Sequence, residues 1–264
     1  MSPSTETPPP RLSPQSWLQD LQIAVALLTR LPSGKIAEDP APCLARASRC
    51  YPLVGALVGG LAGLVLLVTD GFGLPAIPAA LLAIATTVLI TGALHEDGLA
   101  DLADGFGGGR DRAQKLAIMR DSRIGSYGVL ALILTVALRG FSLAAIADPL
   151  TAIAVLIAAE SLSRGGLASI MAMLPAARPD GLAAHVGRPR GSDALTAAAI
   201  ALAIALLLLD WQAAVLAAVA TVLFQGGLAL LARRQIGGYT GDVLGAAQQV
   251  AATAVLLVLA AALG

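Results

Sequence analysis

Apolar residues are gathered in long runs along the chain, and short polar segments separate these runs. A helix that crosses a bilayer needs about 20 apolar residues, and seven stretches approach that length. They cover residues 52–70, 74–94, 127–147, 149–174, 194–209, 211–231 and 243–263. The runs lack the period-two alternation of a membrane barrel. The pattern therefore predicts an all-α protein, a polytopic transmembrane helical bundle of about seven spans.

The N-terminal part of the chain differs from these runs. Residues 1–16 are rich in Pro and Ser and have no apolar core, which is typical of a disordered leader. Residues 17–31 are apolar but carry Asp20 and Arg30, so we predict an amphipathic segment at the membrane interface. The chain from residue 17 to residue 264 is predicted to form a single integral-membrane domain.

Composition supports a membrane protein. The chain of 264 residues is 57% hydrophobic and 13% charged, whereas soluble domains are about 45–50% apolar and about 25% charged. This deficit of charge argues against a soluble enzyme, a disordered chain and a secreted disulfide scaffold. Because 17 basic residues balance 17 acidic ones, no nucleic-acid partner is expected.

The basic residues are distributed unevenly between the two ends of the predicted spans. Fifteen of the 17 lie in four polar segments, namely the N-terminal segment up to Tyr51 and residues 95–126, 175–193 and 232–242. The three short connections near Asp70, Asp148 and Asp210 contain none. The positive-inside rule therefore predicts a cytoplasmic N-terminus. A site for polar substrates is expected on that side, with residues 95–126 as a cytoplasmic catalytic loop.

Three glycines in the first predicted span are spaced four residues apart. Gly55, Gly59 and Gly63 lie on one side of a helix, because residues four apart are neighbours on a helix surface. This small-xxx-small pattern is typical of close helix packing in membranes.

Four carboxylates follow the second predicted span within nine residues: Glu96, Asp97, Asp101 and Asp104. If the chain remains helical, the three aspartates share one face. Like charges at this spacing repel one another unless a cation binds between them. Oxygen ligands without cysteine favour Mg²⁺, with Mn²⁺ as the alternative. We therefore predict that all four are metal ligands; a solvated acidic turn is the alternative.

A glycine-rich and basic segment follows the carboxylates. Residues 105–109 contain four glycines, and Arg110, Arg120 and Arg123 come after them. Backbone N–H groups and guanidinium groups both bind phosphate, but this glycine run matches neither a Walker loop nor a dinucleotide fingerprint. Next to a metal site, the arginines favour a diphosphate clamp; interfacial anchoring is the alternative.

These residues resemble a known family. The motifs are His95-x-Asp97-Gly98-Leu99-Ala100-Asp101-x-x-Asp104-Gly105, Met119-Arg120-Asp121-Ser122-Arg123-x-Gly125-x-Tyr127-Gly128, Thr29-Arg30-Leu31-Pro32, Tyr51-Pro52-Leu53-Val54-Gly55 and Gly237-Gly238-Tyr239-Thr240-Gly241-Asp242. Together they run from about residue 20 to residue 250 and resemble the cobalamin 5′-phosphate synthase family.

The resemblance implies a Mg²⁺-dependent multi-pass enzyme of the bacterial inner membrane, with its active site facing the cytoplasm. Such an enzyme of late cobalamin biosynthesis joins adenosylcobinamide-GDP to α-ribazole or its 5′-phosphate and releases GMP. Association with the lipid bilayer is implied, and a homo-oligomer or a complex with other enzymes of the pathway stays open.

The resemblance also suggests roles for individual residues. The substrate-binding residues are expected to be Arg110, Arg120, Arg123, Thr240, Asp242 and Arg164. The general base is expected among Asp104, Asp121 and His95. Two of these assignments have structural alternatives. Asp242 is equally compatible with a helix N-cap, and Arg164 with an ion pair to Glu160, four residues earlier.

The chain departs from the family pattern in one place, and two other functions compete with this one. Gln248 and Gln249 stand where an acidic residue is expected. A CDP-alcohol phosphotransferase shares the Asp101-x-x-Asp104-Gly105 spacing but has Ala-Arg where this chain has residues 106–109. A small transporter is expected to show inverted repeats and broken helices at mid-membrane, and no internal repeat is visible here.

Overall fold

A computed structural model describes residues 14–34, 41–181 and 185–264 of the chain. Within these ranges the regular structure is helical, with a single isolated bridge between Ala176 and Tyr239. The helices are α1 (Pro14–Leu28), α2 (Ala41–Ala47), α3 (Tyr51–Gly71), α4 (Ala76–Thr91), α5 (Leu94–Gly108), α6 (Arg112–Ile118), α7 (Ser126–Ala144), α8 (Pro149–Gly165), α9 (Leu167–Met173), α10 (Gly191–Leu208), α11 (Trp211–Ile236) and α12 (Gly241–Leu263). The predicted leader lies almost wholly outside the described residues.

Among the residues that the structure describes, six helical segments are long and apolar enough to cross a membrane. They are Leu44–Gly71, Ser126–Ala144, Pro149–Met173, Gly191–Leu208, Trp211–Ile236 and Gly241–Leu263. Helices α4 and α5 pass the same test only when taken together, and they are bent by 91°. The prediction of a helical bundle with about seven spans is therefore confirmed as six, or seven if the bent pair counts as one.

The sharp bend between α4 and α5 corrects the predicted end of the second span. Gly92 and Ala93 both adopt left-handed backbone conformations, with φ of 64° and 59°. The Arg30 side chain lies over Gly92, and the Arg30 N–H donates to the Ile90 carbonyl at 2.8 Å. The span ends at Thr91, so the acidic residues belong to a new helix that crosses the end of the bundle. The predicted catalytic loop, residues 95–126, thus contains α5 and α6.

The glycine stripe on α3 packs against α8. A Cβ atom added at Gly59 would lie 2.7 Å from the Ile157 Cα, and one at Gly63 would lie 2.7 Å from the Ile153 Cγ2. Gly55 meets the Glu160 carbonyl in the same way. Because no side chain fits between the two backbones, the predicted small-xxx-small packing is confirmed.

Buried charges join helix α1 to α2 and to the turn at Ser48–Cys50 that precedes α3. Asp20 accepts hydrogen bonds from the Arg46 Nε at 2.9 and 3.0 Å, and it pairs with the Arg49 Nε at 2.7 Å. The Arg49 guanidinium stacks 3.8 Å from the centre of the Trp17 ring. Asp20, one of the two charged residues on which the prediction of an amphipathic segment rests, therefore points into the protein. With 15 residues, α1 is about 22 Å long and too short to span a bilayer core.

Candidate functional site

The site is built where α5 crosses the beginning of α12. A Cβ atom added at Gly98 would lie 3.0 Å from the Asp242 Cα and 3.2 Å from the Gly245 Cα. The two backbones are thus in contact, which only glycine permits at this distance. The crossing brings the acidic face of α5 next to Asp242.

Three carboxylates, Asp97, Asp101 and Asp242, lie close together at this crossing. We call them the mouth cluster, because Asp97 and Asp242 line the opening of a cavity that is described below. Asp101 lies in the electrostatic field of Asp97, Asp242 and Asp104, and of one guanidinium, that of Arg178. Arg178 pairs with Asp242 at 2.8 Å. The cluster therefore holds more negative than positive charge among its described neighbours, which favours binding of a cation or a cationic group.

Arg178 reaches this cluster through a pairing between distant segments. The Ala177 N–H donates to the Tyr239 carbonyl at 2.8 Å, and the Tyr239 N–H donates to the Pro175 carbonyl at 3.0 Å. Gly238 lies so close to the Pro175 carbonyl that a Cβ atom would clash with it. In the sequence, Arg178 is only one of the basic residues of the segment 175–193. No motif around it indicates a role in the site.

Thr240 and Asp242 have different roles at the start of α12. Thr240 is the N-cap, since its hydroxyl accepts from the Val243 N–H at 3.3 Å. The N-cap interpretation of Asp242 is therefore wrong. The Thr240 hydroxyl also donates to the Asp242 Oδ2 at 3.1 Å, so it helps to hold this carboxylate at the cluster.

A cavity of about 240 Å³ opens beside the mouth cluster. Its walls come from α1, the first residue of α3, α5, α9, α12 and the segments around residues 180 and 239. Asp97, Arg178 and Asp242 line it, together with Thr240. Most of the other lining residues are apolar or aromatic. The structure thus joins a charged cluster to a largely apolar cavity, an arrangement typical of small-molecule sites.

Asp104 lies apart from the other two aspartates of α5 in its contacts. Its carboxylate accepts hydrogen bonds from the backbone N–H groups of Gly125, at 2.6 Å, and Gly128, at 2.9 Å. Gly125 is the N-cap of α7 and Gly128 lies in its first turn, where backbone N–H groups need an acceptor because no helical carbonyl precedes them. The side chain is buried and holds α7 against α5, so its contacts give a structural role rather than support for metal binding or base catalysis.

Glu96 points away from the mouth cluster into the bundle. It accepts from the Gln249 Nε2 at 2.8 Å and lies 3.7 Å from the Arg139 Nη1. His95 lines the inner wall of the cavity, but both ring nitrogens are buried and have no hydrogen-bond partner among the described residues. The predicted ligand Glu96 is thus turned inward, whereas the predicted base His95 lies in the wall of the cavity without a partner that would orient its ring.

Glu160 is the centre of a buried polar network behind Glu96. It accepts from the Arg139 Nη2 at 2.5 Å, and it pairs with Arg164 on its own helix. Gln248 donates to the same carboxylate at 3.2 Å, and Gln249 accepts from the Arg139 Nη1 at 2.8 Å. The predicted pair of Glu160 and Arg164 exists but also includes Arg139. Arg164 is buried and does not line the cavity.

The network also explains the two glutamines at positions 248 and 249. Gln248 and Gln249 donate to Glu160 and Glu96, respectively, and Gln249 also donates to the Gln248 Oε1 at 3.0 Å. Neutral amides can both donate and accept, so they link the carboxylates to Arg139 without adding charge. An acid at either position would add a third negative charge to the buried set.

The predicted basic clamp is only partly assembled. Arg120 pairs with Asp180 at 2.6 Å, and Asp180 lines the cavity. Arg123 pairs with Asp121 at 2.6 Å on the exposed surface. The hydrogen bonds from Arg123 lower the pKa of Asp121 to about 2, which makes Asp121 a weak base, and it does not line the cavity. Arg110 is exposed.

The glycine run does not form a phosphate loop. Residues 105–108 belong to the last turns of α5, where backbone N–H groups are used by the helix. A Cβ atom added at Gly107 would meet the Tyr127 ring at 2.7 Å, and one at Gly109 would meet the Lys115 N at 2.7 Å. The glycines allow α6 and α7 to pack closely on α5.

The described side chains do not converge into a ready-made metal site. Among residues 14–34, 41–181 and 185–264, no three His, Cys, Asp or Glu side chains are positioned to hold one ion. The mouth cluster nevertheless has the chemistry that Mg²⁺ prefers, since Mg²⁺ binds few carboxylates and takes its other ligands from water and substrate phosphates.

Comparisons with known proteins identify the family of the chain. Residues 20–260 match the family model described as cobalamin-5-phosphate synthase. A protein of Bradyrhizobium diazoefficiens named adenosylcobinamide-GDP ribazoletransferase is 47% identical over 99% of this chain and 98% of its own length. Proteins with the same name from Mesorhizobium japonicum and Rhizobium johnstonii are 45% and 44% identical, over 96% and 94% of this chain and 96% and 99% of their own lengths. No solved structure matches the chain significantly. The chain belongs to the cobalamin-5-phosphate synthase family.

Proposed function

We propose that this chain joins adenosylcobinamide-GDP to α-ribazole or α-ribazole 5′-phosphate and releases GMP, the activity that its relatives' name describes. The observation that carries the proposal is the convergence of Asp97, Asp242 and Arg178 at the mouth of a cavity, with Asp101 in the electrostatic field of all three. Carboxylates that can bind a divalent cation, next to a guanidinium, are the recurrent means of stabilising phosphoryl transfer.

The proposed magnesium ligands are the mouth cluster, Asp97, Asp101 and Asp242. Of the four ligands that the sequence predicted, this set keeps Asp97 and Asp101 and adds Asp242. Glu96 and Asp104 are left out, because Glu96 is bound to Gln249 and Asp104 caps α7. When bound, Mg²⁺ would neutralise charge on the diphosphate oxygens. Mn²⁺ prefers the same oxygen ligands and is expected to substitute for it.

The diphosphate is proposed to lie against Arg178, with Arg120 at the edge of the cavity. Arg178 lines the cavity and already pairs with a carboxylate of the cluster. Arg120 is held at the cavity edge by Asp180. Guanidinium groups bind phosphate oxygens in a bidentate manner, so these side chains would stabilise the charge that develops on departing GMP.

The proposed reaction is a single phosphoryl transfer. A ribose hydroxyl of the acceptor attacks the phosphorus attached to cobinamide, a new P–O bond forms, and the P–O bond to GMP breaks. The hydroxyl proton passes to a carboxylate of the cluster, for which Asp97 is best placed because it is exposed and lines the cavity. GMP leaves with the electron pair of the broken bond.

We also propose that the site faces the cytoplasm of a bacterial inner membrane. The polar segments with 15 of the 17 basic residues include those around the mouth cluster. Loops that carry basic residues remain cytoplasmic. The large polar substrates then reach the site without crossing the membrane.

The experiment measures GMP release from adenosylcobinamide-GDP and α-ribazole 5′-phosphate by the purified full-length protein. We expect release with Mg²⁺, none after chelation, and loss in Asp101→Asn. Asp210→Asn is the control, because Asp210 caps α11 through the N–H groups of Gln212 and Ala213 and does not line the cavity.

Each contrary outcome has a definite meaning. Release without any divalent cation would overturn the metal assignment while keeping the reaction. Release that survives in Asp101→Asn would move the site away from the mouth cluster. Absence of release under all conditions would overturn the proposed reaction.

A further inference from the structure

The cavity beside the mouth cluster has two chemically different ends. At the closed end lie buried residues, among them Leu28, Tyr51, Leu167, Met171 and Tyr239. At the open end lie the exposed Asp97 and Asp180 and the half-buried Arg178 and Asp242. The fully charged groups are therefore confined to the mouth. The interior is mostly apolar and aromatic, with two buried polar residues, Thr240 and His95, and the His95 ring nitrogens have no hydrogen-bond partner among the described residues.

The size of the cavity restricts what can occupy its closed end. A volume of about 240 Å³ is below the usual range of about 300–1,000 Å³ for pockets that enclose a drug-sized ligand. The corrin macrocycle, with its four linked rings and amide side chains, is much larger than such a ligand. The corrinoid part of the donor therefore cannot enter, whereas a two-ring heteroaromatic base can.

The chemistry of the walls discriminates between the two bases in the proposed reaction. Guanine carries an exocyclic carbonyl, an exocyclic amino group and polar ring nitrogens, and burying several such groups with few hydrogen-bond partners is costly. The His95 ring can offer one hydrogen bond, which matches the single free ring nitrogen of the benzimidazole. The dimethylbenzimidazole of α-ribazole carries only methyl groups outside its rings. Tyr51, Tyr239 and Met171 offer aromatic and sulfur contacts, which favour a planar apolar ring.

We propose that the closed end of this cavity binds the benzimidazole base of the acceptor α-ribazole, and that guanine and the corrinoid bind outside it. This inference rests on the proposed function, since it names the subsite for one of the two substrates. With the base in the closed end, the ribose lies towards the mouth. Its hydroxyl is then directed at Asp97 and Asp242, where the diphosphate is proposed to bind.

The test narrows the cavity without touching the mouth cluster. Leu27 lies on α1, lines the cavity and is half-buried, so Leu27→Trp is expected to extend into the free space. We expect the KM for α-ribazole 5′-phosphate to rise about tenfold or more, the range by which apolar pockets discriminate small size differences. The KM for adenosylcobinamide-GDP is expected to change less than about twofold.

Matched controls separate this effect from a general disturbance of α1. Leu21 lies on the same helix, is also half-buried and does not line the cavity, so Leu21→Trp is expected to leave both KM values unchanged. Leu244→Trp repeats the test from α12, in case Leu27→Trp does not fold. In either filled variant, the acceptor with unsubstituted benzimidazole should gain in relative kcat/KM over the dimethyl form.

A binding measurement distinguishes failure of this inference from failure of the proposed function. Titration calorimetry of α-ribazole into the full chain should give weaker binding for Leu27→Trp than for Leu21→Trp. If the wild-type protein binds α-ribazole in this way but releases no GMP, only the proposed reaction is overturned. If GMP is released and Leu27→Trp raises the KM of adenosylcobinamide-GDP instead, or leaves α-ribazole binding unchanged, the subsite is overturned.

Discussion

Two neighbouring carboxylates of α5 belong to regions with opposite environments. Glu96 is buried and lies beside Gln249 and Arg139. Asp97 is exposed and lines the cavity with Asp242. Successive residues of a helix point about 100° apart, so one turn of α5 supplies both regions.

The two regions differ in how their charges are balanced. The buried network contains two glutamates, Glu96 and Glu160, and two arginines, Arg139 and Arg164. The mouth cluster contains three aspartates with Arg178 as the nearby cation. Burial of charge requires neutralisation by a partner, whereas a cluster that is partly exposed to solvent can remain unbalanced. The imbalance identifies the cluster, and not the network, as the place for a ligand.

The largest effect is expected from breaking the buried network. Glu160→Ala would leave Arg139 and Arg164 without their shared carboxylate. Removing one partner of a buried ion pair costs about 3–5 kcal/mol, so we expect a strongly reduced melting temperature or loss of folded protein. Thermal unfolding in detergent measures this, with Thr196→Ala on α10 as a control, since its hydroxyl donates to the Ser192 carbonyl of the same helix at an exposed position. An unchanged melting temperature would show that the network does not stabilise the bundle.

A mutation at the mouth cluster is expected to affect activity rather than stability. Asp242→Asn removes one proposed ligand, and we expect kcat/KM for GMP release to fall about 100-fold or more. The melting temperature should stay near that of the wild type, because one source of repulsion is also removed. Asp111→Asn is the control, since Asp111 caps α6 through the Gln114 N–H. Loss of folding in Asp242→Asn would mean that this carboxylate is structural.

The helix crossing that supports the cluster can be tested separately. Gly98→Ala places a Cβ atom 3.0 Å from the Asp242 Cα, where the backbone cannot give way easily. Overpacking of this kind costs about 1–3 kcal/mol, and we expect lower activity with a moderate loss of stability. Gly60→Ala, which has open space around its added Cβ, should have neither effect. Equal activity in both variants would contradict the importance of the crossing.

The smallest effect is expected at the far ends of the spans. Asp148 accepts hydrogen bonds from the Thr151 hydroxyl and N–H at the start of α8, and these hydrogen bonds lower the pKa of Asp148. Since the folded-state pKa lies below the unfolded one, this stabilisation is present above the unfolded pKa and is lost as the pH falls through the folded one. Asp148→Ala should lower the melting temperature slightly at pH 7, less at pH 3, and leave GMP release unchanged. A pH-independent difference would argue against ionic capping.

Much of the fold could be predicted from the sequence because the dominant signal is local. The long apolar runs predicted the helical bundle, and the glycines at positions 55, 59 and 63 predicted the close packing of α3, which is made with α8. The 91° bend was missed because Gly92 can continue a helix, and the contact with Arg30 that favours the bend comes from 62 residues earlier.

The site was only partly predictable from the sequence, because local spacing determines only some of its contacts. The spacing of Asp97 and Asp101 placed both on one face of a helix, as the structure has them. Arg178 depends on the pairing of residues 175–177 with 237–239, and the partners of Glu96 lie on other helices. Which of the four carboxylates face inward therefore follows from tertiary contacts, which a pattern within α5 cannot contain.

The most direct test compares Glu96→Gln with Asp97→Asn in one measurement, the dependence of GMP release on Mg²⁺ concentration. We predict that Asp97→Asn loses most activity or needs much more Mg²⁺ at an unchanged melting temperature. Glu96→Gln should melt at a lower temperature while keeping the wild-type Mg²⁺ dependence. A shifted Mg²⁺ dependence in Glu96→Gln, together with a normal one in Asp97→Asn, would contradict the division of α5 into a structural and a ligand-binding face.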